Sequence, residues 1–249
     1  GGDCENHGGP QTQSKRHRLT PVALERGFGM QAGTATKPGA LRVSDGALTR
    51  DGLSARGDGT VLVLACGALA REILALIRVN GWTHVDLHCL PAILHNHPQK
   101  IAGAVRDAIQ ARGARYGKIF VAYADCGTGG DLARVCDEMG VEMIRGPHCY
   151  AFFDGVDAFV AREEVFSFFL TDFLTRQFDT LIWRGLKLDR HPELREMIFG
   201  HYQTLVYLAQ TEDSDLTRQA QAAADKLGLS FERRFTGYGD LAGALEAAV

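Results

Sequence analysis

Three cysteines stand where short apolar runs give way to glycine or histidine. Cys66 ends Val61-Leu62-Val63-Leu64-Ala65 and precedes Gly67. Cys126 ends Ile119-Phe120-Val121-Ala122-Tyr123-Ala124-Asp125 and opens the turn Gly127-Thr128-Gly129-Gly130. Cys149 lies in Gly146-Pro147-His148-Cys149-Tyr150, a few residues after Val141-Glu142-Met143-Ile144. Runs of this kind, each followed by a helical pattern, read as buried parallel strands. Open α/β sheets bind ligands just beyond the carboxyl ends of such strands, so three thiols at three ends predict one shared site.

Thiolates suit zinc, copper(I) or an iron–sulfur cluster, and a catalytic zinc keeps three protein ligands and one open position. The expected ligand set is Cys66, Cys126, Cys149 and His95, at spacings too long for a zinc finger. A metal-free alternative makes Cys126 or Cys149 a nucleophile. The helix start after Gly130 would lower the Cys126 pKa, and His148 is the neighbour of Cys149. The plain alternative is that free cysteine is a small, often buried hydrophobe. Cys89 and Cys136 are assigned to that role, on an apolar strand face and an apolar helix stripe, and Cys4 is set aside.

Other groups surround these thiols in the sequence. His84, His88, His95 and His97 fall within 14 positions, and His95 is preferred because it follows its strand most directly. Asp125 and His148 are the candidate catalytic residues: a carboxylate at a strand end can orient a histidine, ligate a metal or act as a base. Gly127, Thr128, Gly129 and Gly130 form the candidate anion-binding turn, where backbone amides converge ahead of a helix. The turn lacks a P-loop lysine, so no nucleotide is assigned; a tight turn needing glycine for its shape is equally expected. Glu72 is expected to face the same crevice or solvent, and Asp172 to pair with Arg176 one helical turn on.

The elements that must position these groups follow from periodicity. Strands are predicted at 61–66, 84–89, 118–123, 141–144, 204–209 and 229–234, and helices at 68–79, 98–113, 130–139, 161–178, 191–200, 214–227 and 239–248. The alternation predicts an α/β fold: a mostly parallel, open, Rossmann-like sheet with helices on both faces, in one domain over residues 60–249. The 161–178 segment is apolar almost all round, as a buried or interface helix would be, and is the expected contact for a protein partner or a second copy. Residues 1–59 hold 12 of the 29 glycines and one aromatic, Phe28, which predicts a disordered extension. With Met30 the first methionine, this stretch could also be upstream sequence carried into the reading frame.

Composition narrows the classes. A formal net charge of −3 makes no case for nucleic acid or an anionic membrane, and no apolar run approaches the roughly 20 residues of a spanning helix. Six cysteines in 249 residues are not a secreted disulfide scaffold. No charged-then-apolar pattern opens the chain, and the reducing cytoplasm is the expected compartment.

Taken together, Ala65-Cys66-Gly67-Ala68-Leu69-Ala70-Arg71-Glu72, Leu90-Pro91-Ala92-Ile93-Leu94-His95-Asn96, Tyr123-Ala124-Asp125-Cys126-Gly127-Thr128-Gly129-Gly130, Gly146-Pro147-His148-Cys149-Tyr150 and Phe169-Leu170-Thr171-Asp172-Phe173 resemble the bacterial and archaeal family catalogued as domain of unknown function 1638. The resemblance covers roughly residues 60–245. It implies a soluble single-domain protein, brings no assigned catalytic residues, and includes relatives encoded near corrinoid-dependent methyltransferase systems. The functional expectation is an enzyme with a zinc-like thiolate site, acting in hydrolysis or thiol/methyl transfer on a small anionic substrate. The alternatives are a non-catalytic accessory carrying a metal or cofactor for corrinoid methyl transfer, and a metal-free cysteine-nucleophile enzyme.

Overall fold

The computed structural model describes residues 43–249. Most of the segment expected to be disordered lies outside the described residues, but its last part is ordered: Asp45–Arg50 form helix α1, with Ser44 Oγ accepting the Ala47 N–H. Leu48 there is fully buried, an anchor that a reading based on glycine content passes over.

Seven parallel strands follow, divided between two sheets. The first holds β1 (Val61–Cys66), β2 (Val85–Leu90), β3 (Lys118–Ala122) and β4 (Glu142–Met143) in the order β2-β1-β3-β4. The second holds β5 (Ser167–Thr171), β6 (Thr204–Ala209) and β7 (Ser230–Phe235) in the order β5-β6-β7. The parallel α/β class is as expected, with two sheets in place of one. Central β1 is buried along its whole length, which is why it reads as an unbroken apolar run. Edge strand β7, Ser-Phe-Glu-Arg-Arg-Phe, carries the charged residues Glu232, Arg233 and Arg234 in its middle, a common protection against further pairing.

The helices are α2 (Ala70–Asn80), α3 (Ile101–Arg112), α4 (Asp131–Met139), α5 (Ala151–Asp154), α6 (Val156–Arg162), α7 (Asp172–Arg176), α8 (Leu194–Phe199), α9 (Ser214–Leu227) and α10 (Gly239–Ala248). Helix α10 follows the last strand of the second sheet yet packs on α5 and on β3 of the first. Helix α7 lies against β5, β6 and the helical turn that follows β1. These two elements tie the sheets into one core.

The single helix predicted over 161–178 is not formed. Helix α6 stops at Glu163 in a left-handed conformation, Ser167–Thr171 extend as β5, and Thr171 Oγ1 accepts the Leu174 N–H at 3.2 Å to start α7. An apolar run covered on both faces carries no period, so strand and helix look alike in it. The pairing expected between Asp172 and Arg176 is replaced too. Asp172 accepts hydrogen bonds from Tyr207 Oη, Gln210 N and Thr211 Oγ1, and Arg176 Nε reaches Asp45 at 2.9 Å.

Gly67 is fixed by close approach. A Cβ there would stand 2.5 Å from the Leu48 carbonyl oxygen and 3.0 Å from that of Leu90. Gly67→Ala is therefore expected to cost about 2 kcal/mol of stability. An unchanged urea midpoint would refute that close approach.

Candidate functional site

Each thiol arrives on the element predicted for it. Cys66 is the last residue of β1, and its Sγ accepts the Ala68 N–H at 3.5 Å as the chain turns into the helical stretch that becomes α2. Cys126 follows β3 in a left-handed conformation, φ 48°, uncommon for a residue with a Cβ. The loop after β4 runs alongside: Asp125 N–H donates to Gly146 O and Cys126 N–H to Pro147 O. This pairing carries Cys149 Sγ to 3.2 Å from Cys126 Sγ, where it also accepts the Ala124 N–H at 3.4 Å.

All three cysteines, with His95 and Tyr123, line one cavity of about 30 Å3 roofed by Tyr150, Thr171, Leu174 and Leu181. That space admits a water molecule or a methyl-sized group, not a whole substrate. Beside it lies a larger cavity of about 310 Å3, walled by Asn96, His148, Phe168, Phe169 and Tyr202 among others, and sharing His95, Tyr150, Leu174 and Leu181 with the first.

The surroundings of Cys66 and Cys149 set their pKa values apart. The Cys149 thiol, facing Cys66, is the largest influence holding the Cys66 pKa below its ordinary value; the Ala68 amide adds to this, and burial opposes it. Cys149 is pushed well above its ordinary value by its contacts with Cys126 and Cys66 and by burial. Of Cys66 and Cys149, Cys66 is thus the more readily ionised, and in the Cys126–Cys149 contact beside it either sulfur can donate. Tyr123 Oη has no hydrogen-bond partner, and burial followed by the nearby Cys66 charge pushes its pKa far up, so it stays a neutral phenol.

The four residues expected to ligate a metal thus converge on one cavity. Among the described residues, however, no group of three or more His, Cys, Asp or Glu side chains is arranged to hold an ion. The sulfurs of Cys126 and Cys149 touch each other, where thiolates sharing a zinc at about 2.3 Å would stand nearly 4 Å apart.

The glycine turn is occupied by its own chain. Asp125 accepts the N–H groups of Gly127, Gly129 and Gly130, at 3.2, 3.2 and 2.7 Å, and the Thr128 hydroxyl at 2.7 Å. Its carboxylate fills the position expected for a substrate anion. Although burial opposes the effect, these bonds hold the Asp125 pKa below the usual range, which makes it a poor base. Gly127 to Gly130 are therefore scaffold, built around Asp125.

His148 stacks on Tyr150, with centroids 4.9 Å apart. Burial pulls its pKa down, against the pull of the Asp125 charge. His95 opens to solvent on one side, yet the protein packed around its ring and the nearby His148 also pull its pKa down. Both imidazoles are neutral at neutral pH. His95 lines both cavities and His97 neither. Glu72 is buried in the first turn of α2 and lines neither. Cys89 and Cys136 are core.

Sequence reasoning missed Tyr123, Tyr150, Thr171 and Leu174. Tyr150 was within reach, as the neighbour of Cys149; the two from the α7 region were hidden by the false helix.

A family model described as Protein of unknown function (DUF1638) matches residues 89–245, a span that contains His95, Cys126 and Cys149 and begins beyond Cys66. No curated protein and no solved structure matches the chain. With more than half of its length matched, the chain belongs to the DUF1638 family.

Proposed function

We propose that this protein is a thiol enzyme in which the Cys66 thiolate attacks an electrophilic carbon of a small substrate. The observation that carries this reading is the Cys66 sulfur at a strand terminus, accepting the Ala68 N–H and lining one cavity with the Cys126–Cys149 thiol pair. Sulfur forms a bond to the substrate carbon, and the leaving group departs with the bonding pair and takes a proton from water in the larger cavity. Water or an acceptor thiol then displaces Cys66, which leaves as thiolate and closes the cycle. Cys149 is a positioning residue here: it stabilises the thiolate and does not touch the substrate.

A second reading has one specific observation in its favour. Three buried thiols with no lysine or arginine on the cavity wall are the donors a zinc-like cation prefers. Rotation of the Cys126 and Cys149 side chains would open their 3.2 Å contact to a metal-sharing distance.

Alkylation by iodoacetamide, mapped by mass spectrometry across pH, together with elemental analysis of the same sample, separates the two. The thiol reading expects no stoichiometric metal and modification of Cys66 with a midpoint below that of an ordinary thiol. In Cys149→Ala that midpoint is expected to rise by about one unit, slowing the reaction at neutral pH about tenfold. Stoichiometric zinc that is lost in the Cys66→Ala, Cys126→Ala and Cys149→Ala variants would transfer the assignment to the metal reading. Neither metal nor a reactive Cys66 would end both.

A further inference from the structure

We propose that the larger cavity binds an uncharged, planar aromatic or heteroaromatic compound and directs one small substituent of it toward Cys66. The destination of the substituent rests on the thiol reading; the aromatic site itself does not.

Three observations on the cavity wall support this. The first is charge. Its twelve lining residues include no Asp, Glu, Lys or Arg, and its two histidines are drawn toward the neutral form by burial. An ionic ligand would lose its hydration and gain no counter-charge, whereas a neutral one loses little. Together with Asp125 filling the glycine turn, this argues against the small anionic substrate that the sequence suggests.

The second is ring geometry. His148, Tyr150 and Phe169 form a near-parallel ladder, with centroids 4.9 and 5.3 Å apart and planes inclined by 15° and 18°. A flat guest can extend such a ladder by offset stacking, and Phe168 and Tyr202, 5.7 Å apart, present a second aromatic wall. Beyond the two imidazoles and the Tyr150 hydroxyl, polar groups are few: Ser167, the Tyr202 hydroxyl, and Asn96, whose amide Nδ2 is already committed to the Leu181 carbonyl at 2.9 Å. The Asn96 carbonyl oxygen is left as an acceptor for a donor on the ring edge.

The third is size. About 310 Å3 beside about 30 Å3, with His95, Tyr150, Leu174 and Leu181 common to both, is a body-sized space next to a methyl-sized one. Ligand sites are commonly apolar clefts with a few orienting polar groups. Here the body would stay among the rings, and only a group the size of a methyl would reach the thiols.

Titration calorimetry on the full chain tests this with 2-naphthol and its charged counterpart 2-naphthalenesulfonate as probes. One site for 2-naphthol is expected, with the sulfonate weaker by about tenfold or more because its charge is uncompensated. Tyr202→Leu, which removes a ring, and Ser167→Leu, which fills the space, are each expected to weaken 2-naphthol about tenfold, with folding checked by circular dichroism. Cys66→Ser is expected to leave its affinity unchanged. Equal binding of the sulfonate, or binding indifferent to whichever of the two cavity variants folds, overturns the aromatic site while leaving Cys66 reactivity untouched. Naphthol binding to a protein whose Cys66 is inert sinks only the thiol reading.

Discussion

Replacing Asp172 with alanine is expected to lower the unfolding free energy by about 4 kcal/mol, through the loss of hydrogen bonds to a buried carboxylate. Asp172 is 1% exposed. Its Oδ1 accepts the Tyr207 hydroxyl at 2.7 Å and the Gln210 N–H at 3.0 Å, and its Oδ2 accepts the Thr211 hydroxyl at 2.6 Å. In return, Asp172 N–H donates to Gln210 Oε1 at 2.7 Å. These bonds fasten the start of α7 to the end of β6, and hence place Thr171 and Leu174 over the thiols. Alanine leaves a tyrosine hydroxyl and a backbone amide buried without an acceptor, and each such orphan costs about 1–3 kcal/mol. Tyr207→Phe, which removes one donor together with its need for an acceptor, is expected to cost only about 1 kcal/mol. Urea unfolding of both single variants and the double variant gives the coupling between the two groups. A loss below about 1.5 kcal/mol for Asp172→Ala would show that these bonds do not hold α7 in place.

Strands β1, β2 and β6 were legible because they are buried almost throughout and read as unbroken apolar or alternating runs. Val61–Cys66 and Thr204–Ala209 are read from the sequence to the residue, and Ser214–Leu227 likewise, since Asp213 caps that helix. The run from Val165 to Phe178 misled for the same physical reason: continuous apolarity signals burial and says nothing of period. Whether strands join one sheet or two depends on packing between distant elements, such as α10 against β3, and local pattern carries no trace of that.

At the site, the convergence of Cys66, Cys126 and Cys149 was legible, because strand ends in parallel sheets meet along one edge. Their order was not. Cys66 depended most on the expected sheet order, yet its surroundings, the Cys149 thiol first among them, hold its pKa below the ordinary value while that of Cys149 is raised. Asp125 misled in the opposite sense. A carboxylate beside three glycines suggests a base next to an anion hole, whereas in the fold the carboxylate itself takes the amides of the turn.

Glu72 gives the second large effect, and its sign follows from its surroundings. The side chain sits in the first turn of α2 at 5% exposure, with Oε2 lacking any hydrogen-bond partner. Burial raises its pKa from 4.5 to about 7; Asp172 pushes the same way, and Arg176 and Arg71 oppose it. Tyr238, ahead of α10, and Cys89 on β2 also feel this carboxyl. Because the folded pKa is the higher one, the folded protein holds more protons than the unfolded chain between pH 4.5 and about 7. Stability is therefore full below that window and falls as pH rises through it, by roughly 3 kcal/mol from this group alone. Glu72→Gln keeps the volume and the polar character without the titration. The variant is thus expected to match the parent near pH 4 and to exceed it by roughly 3 kcal/mol near pH 8. Urea unfolding of both proteins at the two pH values provides the measurement. A difference that stays constant across the window would mean that the carboxyl is hydrated or paired in the folded state. Asp172→Asn offers a control on the cause: with the like charge removed, the pH at which Glu72 weakens the fold must move upward in no case and downward if the two carboxylates repel.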